Sequence, residues 1–126
     1  MSVRQIRKIG VPAVLATIPA GTNYYTTIDI DGFDPSIAPG TGTPSHGGFL
    51  YYEVLEIIQA LVQRKAGNIV GIDLVEVAPA YDPSETTSIL AALLLNTIGF
   101  IFHARQEKKL RQDRKDTTSG VWTKGS

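Results

Sequence analysis

The 126-residue sequence predicts an α/β fold with parallel strands, on three observations. β-rich and helix-periodic segments alternate along the chain, in the order strand, loop, helix, strand, loop, helix. Both β-rich segments deliver acidic residues at their exits. Parallel strands joined by right-handed crossovers gather their ligands beyond the carboxyl ends of the strands, which is where these acids fall.

The elements follow in order. Val3 to Leu15 alternates apolar and basic residues and predicts a short amphipathic helix ending near Pro19-Ala20-Gly21. Tyr24 to Ile30 is aromatic and β-branched, a strand that ends by presenting Asp29 and Asp31. From Pro35 to Gly48 half of the residues are Pro or Gly, which rules out a regular element and predicts a conformationally restricted loop. Tyr51 to Arg64 sets Val54, Ile57, Ile58, Leu61 and Val62 on one helical face, opposite Glu53, Glu56, Gln59 and Gln63. Ile69 to Val77 reads as a largely buried second strand. Asp82-Pro83-Ser84-Glu85 combines an N-cap, a proline at the first helical position and a glutamate placed for a capping box. The helix expected from there runs through Leu90, Leu93, Leu94 and Ile98 to Phe102, apolar on most sides and so packed in an interior or at an interface.

Composition narrows the function classes. With no cysteine, disulfides and thiolate metal sites are excluded, so a metal would take oxygen or imidazole ligands. The first residues lack a secretory pattern, and the apolar run Ile89 to Phe102 is interrupted by Asn96, Thr97 and Gly99 and too short to span a bilayer. The expectation is a cytoplasmic protein without a membrane partner. The zero net charge hides a basic excess from Arg105 onward that balances an acidic body. Glu107, Asp113 and Asp116 interrupt that basic stretch and Trp122 is its only aromatic, so nucleic acid is not an expected partner. Residues 107–126 are expected to form a charged, disordered tail behind a folded portion over residues 1–106.

Asp29, Asp31 and Glu76 are the candidate functional centre, three carboxylates from two strands facing one crevice. In an extended strand residues two apart share a side, so Asp29 and Asp31 can both reach one cation, and carboxylates that close repel unless a metal or proton intervenes. Hard oxygen ligands favour magnesium, manganese or calcium. The pattern also suits a turn or helix cap with solvated aspartates. Phe33 stands where a haloacid-dehalogenase-type phosphatase wants Thr or Val and where an EF-hand loop wants an oxygen ligand. A metal-dependent sugar-nucleotide transferase stays open on this motif alone. Gly40 to Pro44 lacks the Lys and following helix of a phosphate-cradling P-loop.

The wider context is more specific. Thr27-Ile28-Asp29-Ile30-Asp31, Asp34-Pro35, Ala38 to Pro44, Gly47-Gly48 and Val75 to Asp82 resemble, in order and spacing, the ureohydrolase family of arginases and agmatinases. The resemblance covers Val3 to about Gln106, and the wording of Val75 to Asp82 is closer to agmatinases and guanidino-acid hydrolases than to arginases. It implies the C-terminal half of a three-layer αβα arginase-like fold with a parallel sheet. It also implies manganese-dependent hydrolysis of a guanidino compound, agmatine or a small guanidino acid, to urea and an amine. Asp29 and Asp31 would be ligands of a two-manganese site, and Glu76 would bind the substrate guanidinium through paired hydrogen bonds.

Asp73 is expected to support the site rather than ligate, and Asp34 and Asp82 to serve as turn and cap residues. His46 in the Pro/Gly loop inherits no role, and His103, read as lying near a helix end, is explained by packing or by terminal carbonyls. The Gly-Gly-Asp-His, Asp-Ala-His-x-Asp and His-Gly motifs of the family's first half do not occur here. Two aspartates do not close a two-metal site. The chain alone is therefore expected to be inactive or to need the missing half, and its open sheet edge and uncovered last helix are expected to be met by a homo-oligomer or by a complementary N-terminal half. The alternatives are a noncatalytic remnant acting as an oligomerisation or interaction module, and an unrelated metal-binding transferase.

Overall fold

The computed structural model describes residues 1–63, 67–82 and 84–119. Its elements are α1 (Val3–Ile9), α2 (Val11–Ala16), β1 (Thr22–Asp29), a 3-10 turn (Ile30–Gly32), α3 (Tyr51–Gln63), β2 (Gly67–Val75) and α4 (Glu85–Ser119). Arg64, where α3 was expected to end, and Pro83, the expected first helical residue of α4, lie outside the described residues.

The single helix expected over Val3 to Leu15 is two. Ser2 and Gln5 form a reciprocal capping box at the start of α1. Gly10 ends α1 with φ 79°, its N–H donating to the Ile6 carbonyl at 2.9 Å. Pro12, in the first turn of α2, restarts the helix where a missing N–H costs nothing. Arg7 ties α1 to α3, its Nε donating to Glu53 Oε1 at 2.6 Å and a terminal nitrogen to the Gly48 carbonyl at 2.9 Å.

β1 and β2 pair in parallel, from Thr22 opposite Gly67 to Asp29 opposite Val75, with an irregularity between Tyr24 and Tyr25. At that point Gly71 leaves room for the Tyr25 ring, because a Cβ there would lie 2.6 Å from ring carbons. One face of the sheet presents Ile28, Ile72 and Leu74 to a core that also holds Ile30, Phe33, Ala38, Ile58 and Leu93. The other carries Tyr25, Thr27 and Asp29, all exposed, beside the half-buried Asp73 and Val75. α3 and α4 pack against each other and both touch β2.

α4 continues to Ser119, so residues 107–119 of the expected disordered tail are helical, while residues 120–126 lie outside the described residues. The reason is local: no Pro or Gly occurs from Phe100 to Ser119, and the charged residues pair one turn apart. Glu107 lies 3.6 Å from His103 and 3.7 Å from Arg111, and Gln112 donates to Asp116 at 3.1 Å. The most apolar 18-residue window of α4 has a mean hydropathy of 1.7 and is 12% buried, long and apolar enough to cross a membrane by length and composition alone. Thr86 and Thr97 nevertheless turn fully buried hydroxyls into protein contacts on one side of α4. The opposite side leaves Leu95, Ile98 and Phe102 exposed.

Candidate functional site

The parallel register puts the last residue of β1, Asp29, opposite the last residue of β2, Val75. Glu76 follows immediately, so Asp29 and Glu76 lie at the same, carboxyl end of adjacent strands. The strand stops at Asp29, whose Oδ1 accepts the Asp31 N–H at 2.9 Å and so caps the 3-10 turn. Asp31 therefore sits in a turn, which corrects the extended geometry expected for the pair. Thr43, from the Pro/Gly loop, donates its hydroxyl to Asp31 Oδ2. Asp31 Oδ1 is buried and lacks a hydrogen-bond partner among the described residues. A buried, partnerless carboxylate oxygen is costly unless something cationic or protic is meant to meet it.

Glu76 stands alone among the described non-glycine residues in having positive φ, at 63°. That left-handed conformation is disfavoured for a side chain of its length and ends the strand abruptly. Glu76 was expected on the strand; it lies one residue beyond it and is exposed. Asp73, further back on β2, accepts the Tyr25 hydroxyl at 3.3 Å on Oδ2, and its Oδ1 is also buried without a partner among the described residues. The Asp73 carboxylate raises the Tyr25 pKa.

The loop after β1 is held by backbone contacts. Phe49 N–H donates to the Gly32 carbonyl at 2.8 Å and Asp34 N–H to the Phe49 carbonyl at 2.9 Å. A Cβ on Gly48 would lie 2.5 Å from the Phe33 carbonyl carbon, so only glycine closes this neck. Asp34 caps the turn inside it, accepting Ser36 N–H at 3.0 Å and Gly47 N–H at 2.9 Å. The Ser36 side chain first, and then those two N–H bonds, hold its carboxyl below the usual range. Asp82 caps α4, accepting from Ser84 N–H, Glu85 N–H, Thr86 N–H and the Thr86 hydroxyl.

His46 is exposed in the loop. His103, expected near a helix end, is instead well inside α4 because the helix continues past it, and its side chain is exposed beside Glu107. Thr43 and Thr86 were missed by sequence reading. Thr86 carried a usable signal, a hydroxyl four residues after a cap aspartate, whereas Thr43 meets Asp31 only through the path of an irregular loop.

Among the described residues, no three His, Asp or Glu side chains come together to hold a metal. The partnerless oxygen of Asp31 and the adjacent Asp29 fit one wall of a hard-cation site, which other ligands would have to close. A cavity of about 930 Å³ opens instead between the end of α3 and the outer part of α4, lined by Gln63, His103 and Lys115 and by none of the three candidate carboxylates.

The arginase family pattern matches residues 1–100. The chain belongs to the arginase family. An agmatinase from Halalkalibacterium halodurans is 58% identical over 73 residues, covering 58% of this chain and 25% of that protein. An agmatinase from Salmonella paratyphi B is 42% identical over 105 residues, 81% of this chain and 33% of that protein. Among solved structures, a hypothetical agmatinase from Burkholderia thailandensis superposes with a TM-score of 0.68 at 39% identity, over 82% of this chain and 33% of that one. The agmatine ureohydrolase of Thermoplasma volcanium gives a TM-score of 0.73 at 29% identity, over 82% and 34%. The fold is thus part of an arginase-like α/β fold, and the chain spans a quarter to about a third of the length of these arginase-family relatives.

Proposed function

We propose that this chain supplies one wall of the active site of a manganese-dependent guanidino hydrolase, which converts agmatine or a small guanidino acid to urea and an amine. The observation that supports the reading is that Asp29, Asp31 and Glu76 follow one another at the same end of a parallel strand pair, with one Asp31 oxygen buried and without a partner among the described residues. Asp29 and Asp31 would hold manganese together with ligands from the complementary part of the arginase-family domain. When bound there, the two ions would supply Lewis acidity and a water activated at neutral pH.

The chain's own residues bind and orient. The Asp29 bond to the Asp31 amide and the Thr43 bond to Asp31 Oδ2 fix both carboxylates before any ligand arrives. Glu76 would accept two parallel hydrogen bonds from the planar guanidinium, and its restricted backbone limits where that plane can lie. The partner proposed is the complementary part of the arginase-family domain or a second copy of this chain, and the setting proposed is the cytoplasm. The second reading is a noncatalytic module that associates through α4, favoured by the exposure of Leu95, Ile98 and Phe102.

The two readings separate on urea release with manganese, for the chain alone and with the complementary part supplied. The proposal expects little urea from the chain alone and activity when the site is completed. Robust urea production by the lone chain would overturn the incomplete site, and association without activity would favour the module.

A further inference from the structure

Thr86 is fully buried in the first turn of α4, between the loops that leave the carboxyl ends of β1 and β2. Its hydroxyl donates to Asp82 Oδ2 at 2.7 Å and accepts the Gly40 N–H at 2.8 Å. The Gly40 carbonyl in turn accepts the Ala78 N–H at 2.8 Å. A single hydroxyl, using its proton and a lone pair, thereby joins three segments: the loop after β1, the loop after β2 and the start of α4. Gly40 permits the approach, since a Cβ there would lie 2.8 Å from Thr86 Oγ1 and 3.0 Å from Asp82 Cβ.

Both tied loops lead directly to the candidate site. Three residues beyond Gly40, Thr43 donates to Asp31. Two residues before Ala78 stands Glu76, in its left-handed conformation. Asp82 already caps α4 through Ser84 and Glu85, so the Thr86 hydroxyl is not needed merely to begin the helix.

We infer that Thr86 is a positioning residue: it locks the loop that orients Asp31 to the loop that carries Glu76, and so fixes the spacing between metal-holding and guanidinium-binding carboxylates. The inference rests on the reading of Asp31 and Glu76 given above. Valine at position 86 keeps the shape and removes the hydroxyl, leaving the Gly40 N–H unpaired, whereas serine keeps the hydrogen bonds.

The experiment uses the full 126-residue chain, ¹⁵N-labelled, as native, Thr86→Val, Thr86→Ser and Gly40→Ala proteins. The readouts are amide chemical shifts, amide exchange, and Mn²⁺ affinity from the free-ion paramagnetic resonance signal. Thr86→Val and Gly40→Ala are expected to shift amides at both 41–43 and 76–78 and to speed exchange at Ala78 about tenfold, while Thr86→Ser stays near native. Thr86→Val should also weaken Mn²⁺ binding by about tenfold, as loss of an outer support to a ligand does. Changes confined to residues 82–90, or a Thr86→Ser protein as altered as Thr86→Val, would overturn the inference. If Thr86→Val does not fold, Gly40→Ala decides by the same shifts. Asp31→Asn serves as the control: Mn²⁺ binding unaffected by it would sink the metal reading, while the shifts at 41–43 and 76–78 would still decide whether Thr86 couples the loops.

Discussion

Glu76 holds a backbone conformation that glycine and asparagine adopt far more readily than glutamate. A left-handed glutamate costs roughly 1 kcal/mol or more, and such strain persists where the surroundings or function demand that side chain. Glu76→Asn should therefore raise the unfolding free energy by about 1 kcal/mol in denaturant titrations while deleting the carboxylate proposed to bind guanidinium. A decrease in stability would show that Glu76 makes a structural contact instead. Asp82 gives a pH-dependent case. Its bonds from the Thr86 N–H, the Thr86 hydroxyl and the Ser84 N–H push its pKa far below the ordinary 3.8. A depressed carboxyl stabilises the fold at pH above the ordinary value, and that contribution fades as pH falls from 3.8 toward the folded-state value. Native protein should therefore exceed Asp82→Asn in stability at neutral pH, with the gap closing only in acid. A gap independent of pH would remove the cap as its source. Asp82 was legible in the sequence because caps are local; the strain at Glu76 was not, because no neighbouring residue announces a positive φ.

At the scale of elements, residues with local causes were the readable ones. The apolar face of α3, the two strands and the aspartate cap of α4 follow from periodicity and from turn chemistry. The break at Gly10 was hidden because α1 and α2 share one amphipathic pattern, and the length of α4 because charge suggested solvation rather than helix. Gly48 is the tightest of these local requirements, since the clash at 2.5 Å is with backbone that no rotamer change can relieve. Gly48→Ala should cost about 1–3 kcal/mol, read as a lowered denaturation midpoint. The outer part of α4 makes the opposite case: residues 105–117 are all exposed. Ending the chain after Arg105 should change stability by less than about 0.5 kcal/mol. A larger loss would mean that the arm is covered in solution.

For the whole molecule, family membership and the observed strand pair agree, yet the chain spans only a quarter to about a third of the relatives compared. That Asp29 and Glu76 lie at one end of the sheet was legible, because parallel topology alone dictates it, whereas the turn that carries Asp31 was not. How the three are held in place was not legible, because it depends on Thr43 and Thr86 reaching across loops whose path no periodicity encodes. The Tyr25 face of the sheet and the α4 stripe of Leu95, Ile98 and Phe102 are exposed. The most direct measurement replaces the corresponding segment of the Halalkalibacterium halodurans agmatinase with the matching segment of this chain and follows urea release from agmatine with manganese. The predicted result is a folded chimera that releases urea and loses about a hundredfold or more of that activity on Asp31→Asn. A folded chimera that releases no urea, or one whose turnover Asp31→Asn leaves intact, would contradict the assignment of these carboxylates to the site.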